Sequence, residues 1–421
     1  FFLSLIMKTH TQKFISIQEA IEKARHSQVR SGSSKDQAKG EVAVRGWVYR
    51  ERGSNAMKFI VLRDSSNIIQ CVLERKNFEK QWDEIDKIKI ESSLEIIGEI
   101  KEDKRAPTGF EIQVKKINII QIAEDFPINK DLNEELLGDR RHLWLRSRKM
   151  TAVLKIRSTV FNAIHEYFRN NGFYEYQSPI FQAVQCEGGS ILFNVDYFGK
   201  KGVFLAQTWQ LYAEPAIFSL EKIYTLAPSF RAEESKTSRH LTEYWHAEME
   251  VAWATFKDIQ DHGEGLIKNI VKRVLNKNKP ELEILERDIK KLEPTVKKPF
   301  PRITYDDALK ILKDKCKVKI PWGKDLRTIE EDELSKLYDT PIIVTNYPKE
   351  VKAFYMKGTE GNPKVVNGCD FIGPEGYGEL IGGSEREADP DKIKKRLIEM
   401  GEKPEQYSFY LDTRKYGSVP H

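Results

Sequence analysis

Between Leu226 and Trp253 the chain reads LAPSFRAEESKTSRHLTEYWHAEMEVAW, a stretch dense in side chains that could do chemistry. The pattern predicts two strands joined by a loop, the first over 223–233 and the second over 244–253. In the second, Trp245, Ala247, Met249, Val251 and Trp253 alternate with Tyr244, His246, Glu248 and Glu250, so the two sets take opposite faces of a pleated strand. Arg231 and Glu233 stand two apart on the first strand and share a face. An ordinary half-buried strand shows solvent-type residues on its polar face, not a ring, an imidazole and paired carboxylates beside a guanidinium. The connecting loop is about ten residues long, where hairpins use about two to five. It carries Lys236, Arg239 and His240, donors suited to a polyanion. Together these features suggest a nucleoside-triphosphate site on an antiparallel sheet; the plainer alternative is a charge-rich solvated hairpin.

Three other sets could serve such a site. CEGGS puts Glu187 on a glycine pair, as suits a loop that closes over a ligand. AQTWQLYAE supplies the amides Gln207 and Gln210 and the carboxylate Glu214. The Gly-rich run VVNGCDFIGPEGYGELIGGSEREADPD carries Asp370, Glu379 and Arg386. Its GYGELIGG is not GxGxxG and no βαβ pattern surrounds it, which excludes a dinucleotide fold, and no Walker A sequence occurs. Asp370 and Glu379 are hard oxygen donors fit for a hard cation, although bare acids in such a loop also serve as caps.

The elements that must position these residues are legible in outline. A short helix over 14–27 precedes a Ser/Gly/Lys-rich linker, and five alternating strands between Glu41 and Ile122 read as a small Greek-key barrel, the OB-fold. Pro127 and mixed charge mark a hinge. A long helix over 149–171 follows, with Gly172 as its C′ residue, then a strand, FYEYQSPIFQ, ending at Pro179. Residues 254–300 read as charged helix. The span 305–347 reads as a helical excursion and a strand with no evident chemistry, and VKAFYMK as a further strand. The expected division is an N-terminal extension (1–40), a barrel (41–123), a hinge (124–148) and an α+β catalytic domain (149–421).

At 421 residues, with 40% hydrophobic and 32% charged residues, the chain is a globular protein of about two domains. No apolar run reaches membrane-span length. A net charge of +5 permits nucleic-acid binding without demanding it. The four cysteines (Cys71, Cys186, Cys316, Cys369) form no CxxC pair, which argues against a zinc ribbon or disulfide framework and for a reducing cytoplasm.

FRAEESKTSRHLTEYWHAEMEVAW resembles the second signature motif of the class II aminoacyl-tRNA synthetases, in the form shared by the aspartyl, asparaginyl and lysyl enzymes. It is especially similar to the archaeal and eukaryotic asparaginyl group. QLYAE and GGSERE extend the resemblance, which runs from Glu41 to His421. It implies ligation of L-asparagine to tRNA(Asn) with ATP and Mg2+, through attack of the amino acid's α-carboxylate on the α-phosphorus. By resemblance, Arg231 would hold the α-phosphate, Glu233 would orient the nucleotide or the tRNA end, and Arg239 and His240 would steady the outer phosphates. Tyr244 would stack on adenine, and Asp370 and Glu379 would carry magnesium. Glu187 would bind the α-ammonium, with Gln207 and Gln210 lining the amino-acid pocket. Ala213 and Glu214 follow QLY where aspartyl enzymes have a Lys, so Glu214 would accept from the asparagine amide while Arg386 donates to its carbonyl oxygen. Aspartate would meet Glu214 with like charge. In the barrel, Phe59 would stack on an anticodon base and Gln70 read its edge, with Arg45 and Arg63 nearby; without the resemblance Phe59 reads as a core aromatic. The helix–Gly–strand segment resembles the first motif, implying a homodimer.

In the family YGSVPH leads into a third motif whose Arg binds the γ-phosphate. The sequence given ends at His421, so residues 1–421 alone are expected to be weakly active or inactive. The competing readings are an aspartyl enzyme of relaxed specificity, an asparagine synthetase on the same core (which would lack the barrel), and a non-catalytic RNA-binding paralogue.

Overall fold

The structure is a computed structural model that describes residues 13–31, 40–128, 134–184, 186, 192–233 and 241–421. It divides into two compact units, at Ser147/Arg148.

In the first unit, strands β1 (Glu41–Gly53), β2 (Met57–Arg63), β3 (Ile68–Glu74), β4 (Ser93–Glu102) and β5 (Phe110–Gln121) close a barrel in the order β1-β2-β3-β5-β4. Alternation decides the inside: Ile60 and Leu62 of β2, and Leu94, Ile96 and Ile100 of β4, are buried. Each such side chain contributes about 1.5–3 kcal/mol by burial. Helix α1 (Ile17–Ser31) starts where the Ser16 hydroxyl accepts from the Glu19 amide (3.1 Å) and the Asp64 carboxylate accepts from the Ile17 amide (2.8 Å). Ile17, Ala20, Ile21 and Ala24, spaced for one helix face, pack into the barrel core. The helix runs further than the sequence pattern predicts, to Ser31.

The second unit begins with helix α2 (Arg148–Asn170). Gly172 takes φ +79°, the left-handed conformation expected of a residue that closes a helix. The expected strand FYEYQSPIFQ is broken into two short pieces: β6 (Tyr174–Glu175) pairs parallel to β7 (Lys222–Phe230), and Phe181–Gln182 pairs antiparallel with Phe204–Leu205. β7 lies antiparallel to β8 (Glu243–Val251). On the apolar side of β8, Trp245 meets Phe161 of α2 edge-on, and Ala247 and Met249 pack with α2 and helix α4 (Phe256–Lys277), which follows α3 (Gln210–Leu220). A second sheet has the order β9 (Arg302–Thr304), β10 (Ile342–Thr345), β11 (Gly368–Gly373), β12 (Gly378–Ser384). VKAFYMK is not a strand. It forms a turn whose Phe354 and Tyr355 are core anchors, with a single bridge from Met356 to Arg386. Aromatic burial, not pleating, fixes that segment.

Candidate active site and RNA face

Three groups of the expected residues are brought together in the second unit. The first is a buried charge cluster. Helix α3 places Gln210 and Glu214 one turn apart, and the Gln210 amide donates to Glu214 Oε1 (3.0 Å). The helix start is held by Glu248 of β8, which accepts from the Trp209 amide (3.0 Å) and from the Thr208 hydroxyl. Glu250, two residues on, accepts from Arg386 Nη2 (2.5 Å), while Arg386 Nη1 donates to Ser384 Oγ (2.7 Å). The guanidinium lies over the Tyr355 ring at 4.7 Å, with its Nε 3.7 Å from Glu214 Oε1. The other oxygen of Glu214 accepts from Arg414 Nη2 (2.7 Å), with His421 Nε2 at 3.2 Å. Burial alone would raise the Glu214 carboxyl, but Arg414, then His421 and Arg386, outweigh it and hold it below the usual range. Gln207 is buried and accepts from the Cys186 amide (3.1 Å).

The second group is the carboxylate pair. Asp370 on β11 faces Gly382 across the ladder, and a Cβ on Gly382 would lie 2.8 Å from Glu379 Oε1 and 3.8 Å from Asp370 Oδ1. The bare glycine thus leaves a cradle between two hard donors. Lys352 Nζ sits on Asp370 Oδ2 (2.7 Å), 3.7 Å from Asp325 Oδ1 and 4.0 Å above the Tyr347 ring. Asp325 and Tyr347 belong to the span in which the sequence showed no chemistry; it is tertiary approach, not local pattern, that brings them here. Among the described residues no group of three or more His, Cys, Asp or Glu could hold a metal. Two carboxylates nevertheless fit magnesium, which takes its remaining ligands from phosphates and water.

The third group is Arg231 and Tyr244, with the guanidinium 5.6 Å from the ring centroid and His246 beside the ring at 5.2 Å. Arg231 and Glu233 lie beyond the strand, which ends at Phe230, instead of on it as expected. One further ladder bond, from the Arg231 amide to the Thr242 carbonyl (3.0 Å), continues the pairing, and Glu233 is exposed. Glu187, Arg239 and His240 lie outside the described residues.

In the first unit, cross-strand pairing puts Arg45, Phe59, Arg63 and Gln70 on the outer face of β1–β3. Phe59 is therefore not a core aromatic; the Arg52 guanidinium covers its ring at 4.9 Å. Arg45 is exposed, its guanidinium 5.4 Å from the Phe14 ring. The Gln70 amide donates to Glu111 (2.8 Å). Trp47, exposed and opposite Arg63, joins this face. Its position two residues beyond Arg45, and so on the same face of the strand, was the available signal.

Comparisons with known proteins bear on the family and the fold of both units. Residues 133–421 match the tRNA synthetases class II (D, K and N), and residues 42–120 match the OB-fold nucleic acid binding domain. The chain belongs to the class II tRNA synthetases. It is 48% identical to the asparagine–tRNA ligase of Thermoplasma acidophilum over 390 residues, 92% of this chain and 90% of that one. To the asparagine–tRNA ligase of Thermococcus kodakarensis it is 48% identical over 382 residues, 90% and 88% of the two chains. The structure superposes on the crystal structure of asparaginyl-tRNA synthetase from Pyrococcus horikoshii complexed with asparaginyl-adenylate with a TM-score of 0.89 at 41% identity, covering 97% of this chain and 91% of that one.

Proposed function

We infer that the chain is an asparagine–tRNA ligase: it activates L-asparagine with ATP to the aminoacyl-adenylate, releasing pyrophosphate, and transfers the asparaginyl group to tRNA(Asn). The observation that carries this, beside the identity to asparagine–tRNA ligases, is the buried carboxylate–guanidinium pair with Arg386 Nε 3.7 Å from Glu214 Oε1, a pair suited to accept from a side-chain amide and to donate to its carbonyl oxygen. In activation the asparagine carboxylate oxygen forms a bond to the α-phosphorus as the bond to the pyrophosphate oxygen breaks. No side-chain nucleophile is needed; the site contributes position and charge. Arg231 holds the α-phosphate, Tyr244 stacks on adenine, and Glu233 orients the nucleotide. Glu187, Arg239 and His240 complete the ring of contacts, while Gln207 and Gln210 line the amino-acid pocket. Asp370 and Glu379 hold Mg2+, which when bound supplies charge neutralisation on the phosphates.

The barrel face of Arg45, Trp47, Phe59 and Gln70 takes the anticodon by stacking and edge contacts. The division into 1–40, 41–123, 124–148 and 149–421 carries these roles. Exposed apolar side chains on α2 and β6 (Val153, Leu154, Tyr174) support a homodimer through this region. No helix among the described residues is long and apolar enough to cross a membrane, and scattered thiols support a cytoplasmic setting.

The test is equilibrium binding of the two sulfamoyl-adenosine analogues of the adenylate, asparaginyl and aspartyl, which needs no turnover. Tighter binding of the asparaginyl analogue is expected. Preference for the aspartyl analogue would overturn the reading in favour of an aspartyl enzyme, and binding of neither would leave an RNA-binding paralogue.

A further inference from the structure

Around Glu214 stand a second carboxylate, Glu250, and two guanidiniums, Arg386 and Arg414, all largely withdrawn from solvent, and Glu250 and Arg414 have no role in the reading above. Arg414 lies on the turn after helix α5 (Ser408–Asp412). Its Nη2 reaches Glu214 Oε2 (2.7 Å) and the Tyr410 hydroxyl (2.7 Å), its Nη1 reaches the Thr413 hydroxyl (2.7 Å), and its Nε reaches the Glu387 carbonyl (3.3 Å). The guanidinium also lies 4.2 Å from the Tyr410 ring centroid. Arg414 and Glu214 side chains are both fully buried.

The two oxygens of Glu214 therefore have separate tasks. Oε2 is held by Arg414, with His421 Nε2 beside it, and Oε1 faces the Gln210 amide and Arg386. The charged and titratable groups facing Glu214 are Arg414 and Tyr410 from the α5 region, His421 from the following segment, Arg386 after β12, and Glu250 from β8. Arg386 is already engaged by Glu250 at 2.5 Å. Without Arg414, Glu214 and Glu250 would share the Arg386 guanidinium, with His421 Nε2 the remaining partner at Glu214 Oε2, and burial would press for a proton shared by the Glu214–Glu250 pair. A protonated Glu214 donates a hydrogen bond, and its acceptor could be the carboxylate of aspartate.

We propose that Arg414 is a specificity-positioning residue: by binding Oε2 it keeps Glu214 an ionised acceptor, aimed through Oε1 at the substrate, and so excludes aspartate. This rests on the asparagine-ligase reading.

The full chain and its Arg414→Met and Arg414→Lys variants are titrated with the two sulfamoyl-adenosine analogues between pH 5.5 and 8. The unmodified chain is expected to hold a pH-independent preference for the asparaginyl analogue. Arg414→Met is expected to lose at least about tenfold of that preference, the loss growing as pH falls, because protonated Glu214 then donates to the carboxylate of the aspartyl analogue. Arg414→Lys, which keeps the cation, is expected to retain pH independence with weaker binding of both. Equal weakening of both analogues at every pH in Arg414→Met would make Arg414 merely structural and overturn the proposal. So would a preference in the unmodified chain that fades toward pH 5.5, a result that needs no variant to fold. An unmodified chain that prefers the aspartyl analogue at all pH values would instead defeat the underlying function.

Discussion

Replacing Gly382 by alanine separates folding from metal binding at the proposed magnesium carboxylates. The new Cβ would stand 2.8 Å from Glu379 Oε1, where ordinary contact begins at 3.4 Å, so the carboxylate must retreat by roughly 0.6 Å (3.4 − 2.8). The neighbour is the end of a flexible side chain, and β12 leaves Gly382 in a backbone region open to alanine, so the fold absorbs the change. The rotamer cost of about 0.5–1.5 kcal/mol is offset by about 0.4–1 kcal/mol from a less flexible unfolded chain. Thermal melting should move by no more than about 3 °C. Magnesium is far less tolerant, because it demands oxygens at about 2.0–2.1 Å in near-octahedral array. Misplacing one donor should weaken metal affinity about tenfold to a hundredfold. The assay is an electron-paramagnetic-resonance titration of Mn2+ with the α,β-methylene analogue of ATP present, which needs no turnover. A folded Gly382→Ala chain that binds Mn2+ within twofold of the unmodified one would refute the placement of the metal between Asp370 and Glu379.

Three other outcomes follow from the same geometry. Arg386→Lys removes the fork that joins Glu250 and Ser384, and asparagine should bind at least about tenfold more weakly; unchanged binding by calorimetry would deny Arg386 its substrate role. Phe59→Ala should cost tRNA(Asn) about 1–3 kcal/mol of binding at fixed salt, read by filter binding, while an equal loss for an unrelated tRNA would point to charge alone. Glu375 is held down to about 2 by a hydrogen bond from Arg287, with burial opposing and Lys291 at 3.1 Å assisting. Its stabilisation is therefore complete above the unfolded carboxyl value and lost as pH falls from about 4.5 to 2. The linkage of about 3 kcal/mol shrinks to about 1 kcal/mol with solvent screening, so Glu375→Gln should be less stable by that amount to urea at pH 7, with the gap closing toward pH 3.

What could be read from the sequence was whatever repeats with a period. The barrel strands and β8 declare their faces by alternation, and that alone put Glu248 and Glu250 on the side away from Trp245 and Met249. Alternation cannot say what arrives opposite. Arg414 and His421 reach Glu214 from 200 and 207 residues away, and Lys352 reaches Asp370 from a turn whose local pattern suggested a strand. The charge state of the pocket follows from these arrivals. Had Glu214 met only Arg386, sharing it with Glu250, burial would favour its neutral form, and the same QLYAE sequence would present a donor to the substrate. The selectivity read from Glu214 in the sequence thus depends on a cation that no motif around Glu214 contains. QLYAE supplies the carboxylate, and chain closure through α5 sets its protonation. A transplant of QLYAE alone into an aspartyl relative lacking the Arg414 partner should therefore fail to transfer asparagine preference, and co-transplanting the arginine should restore it.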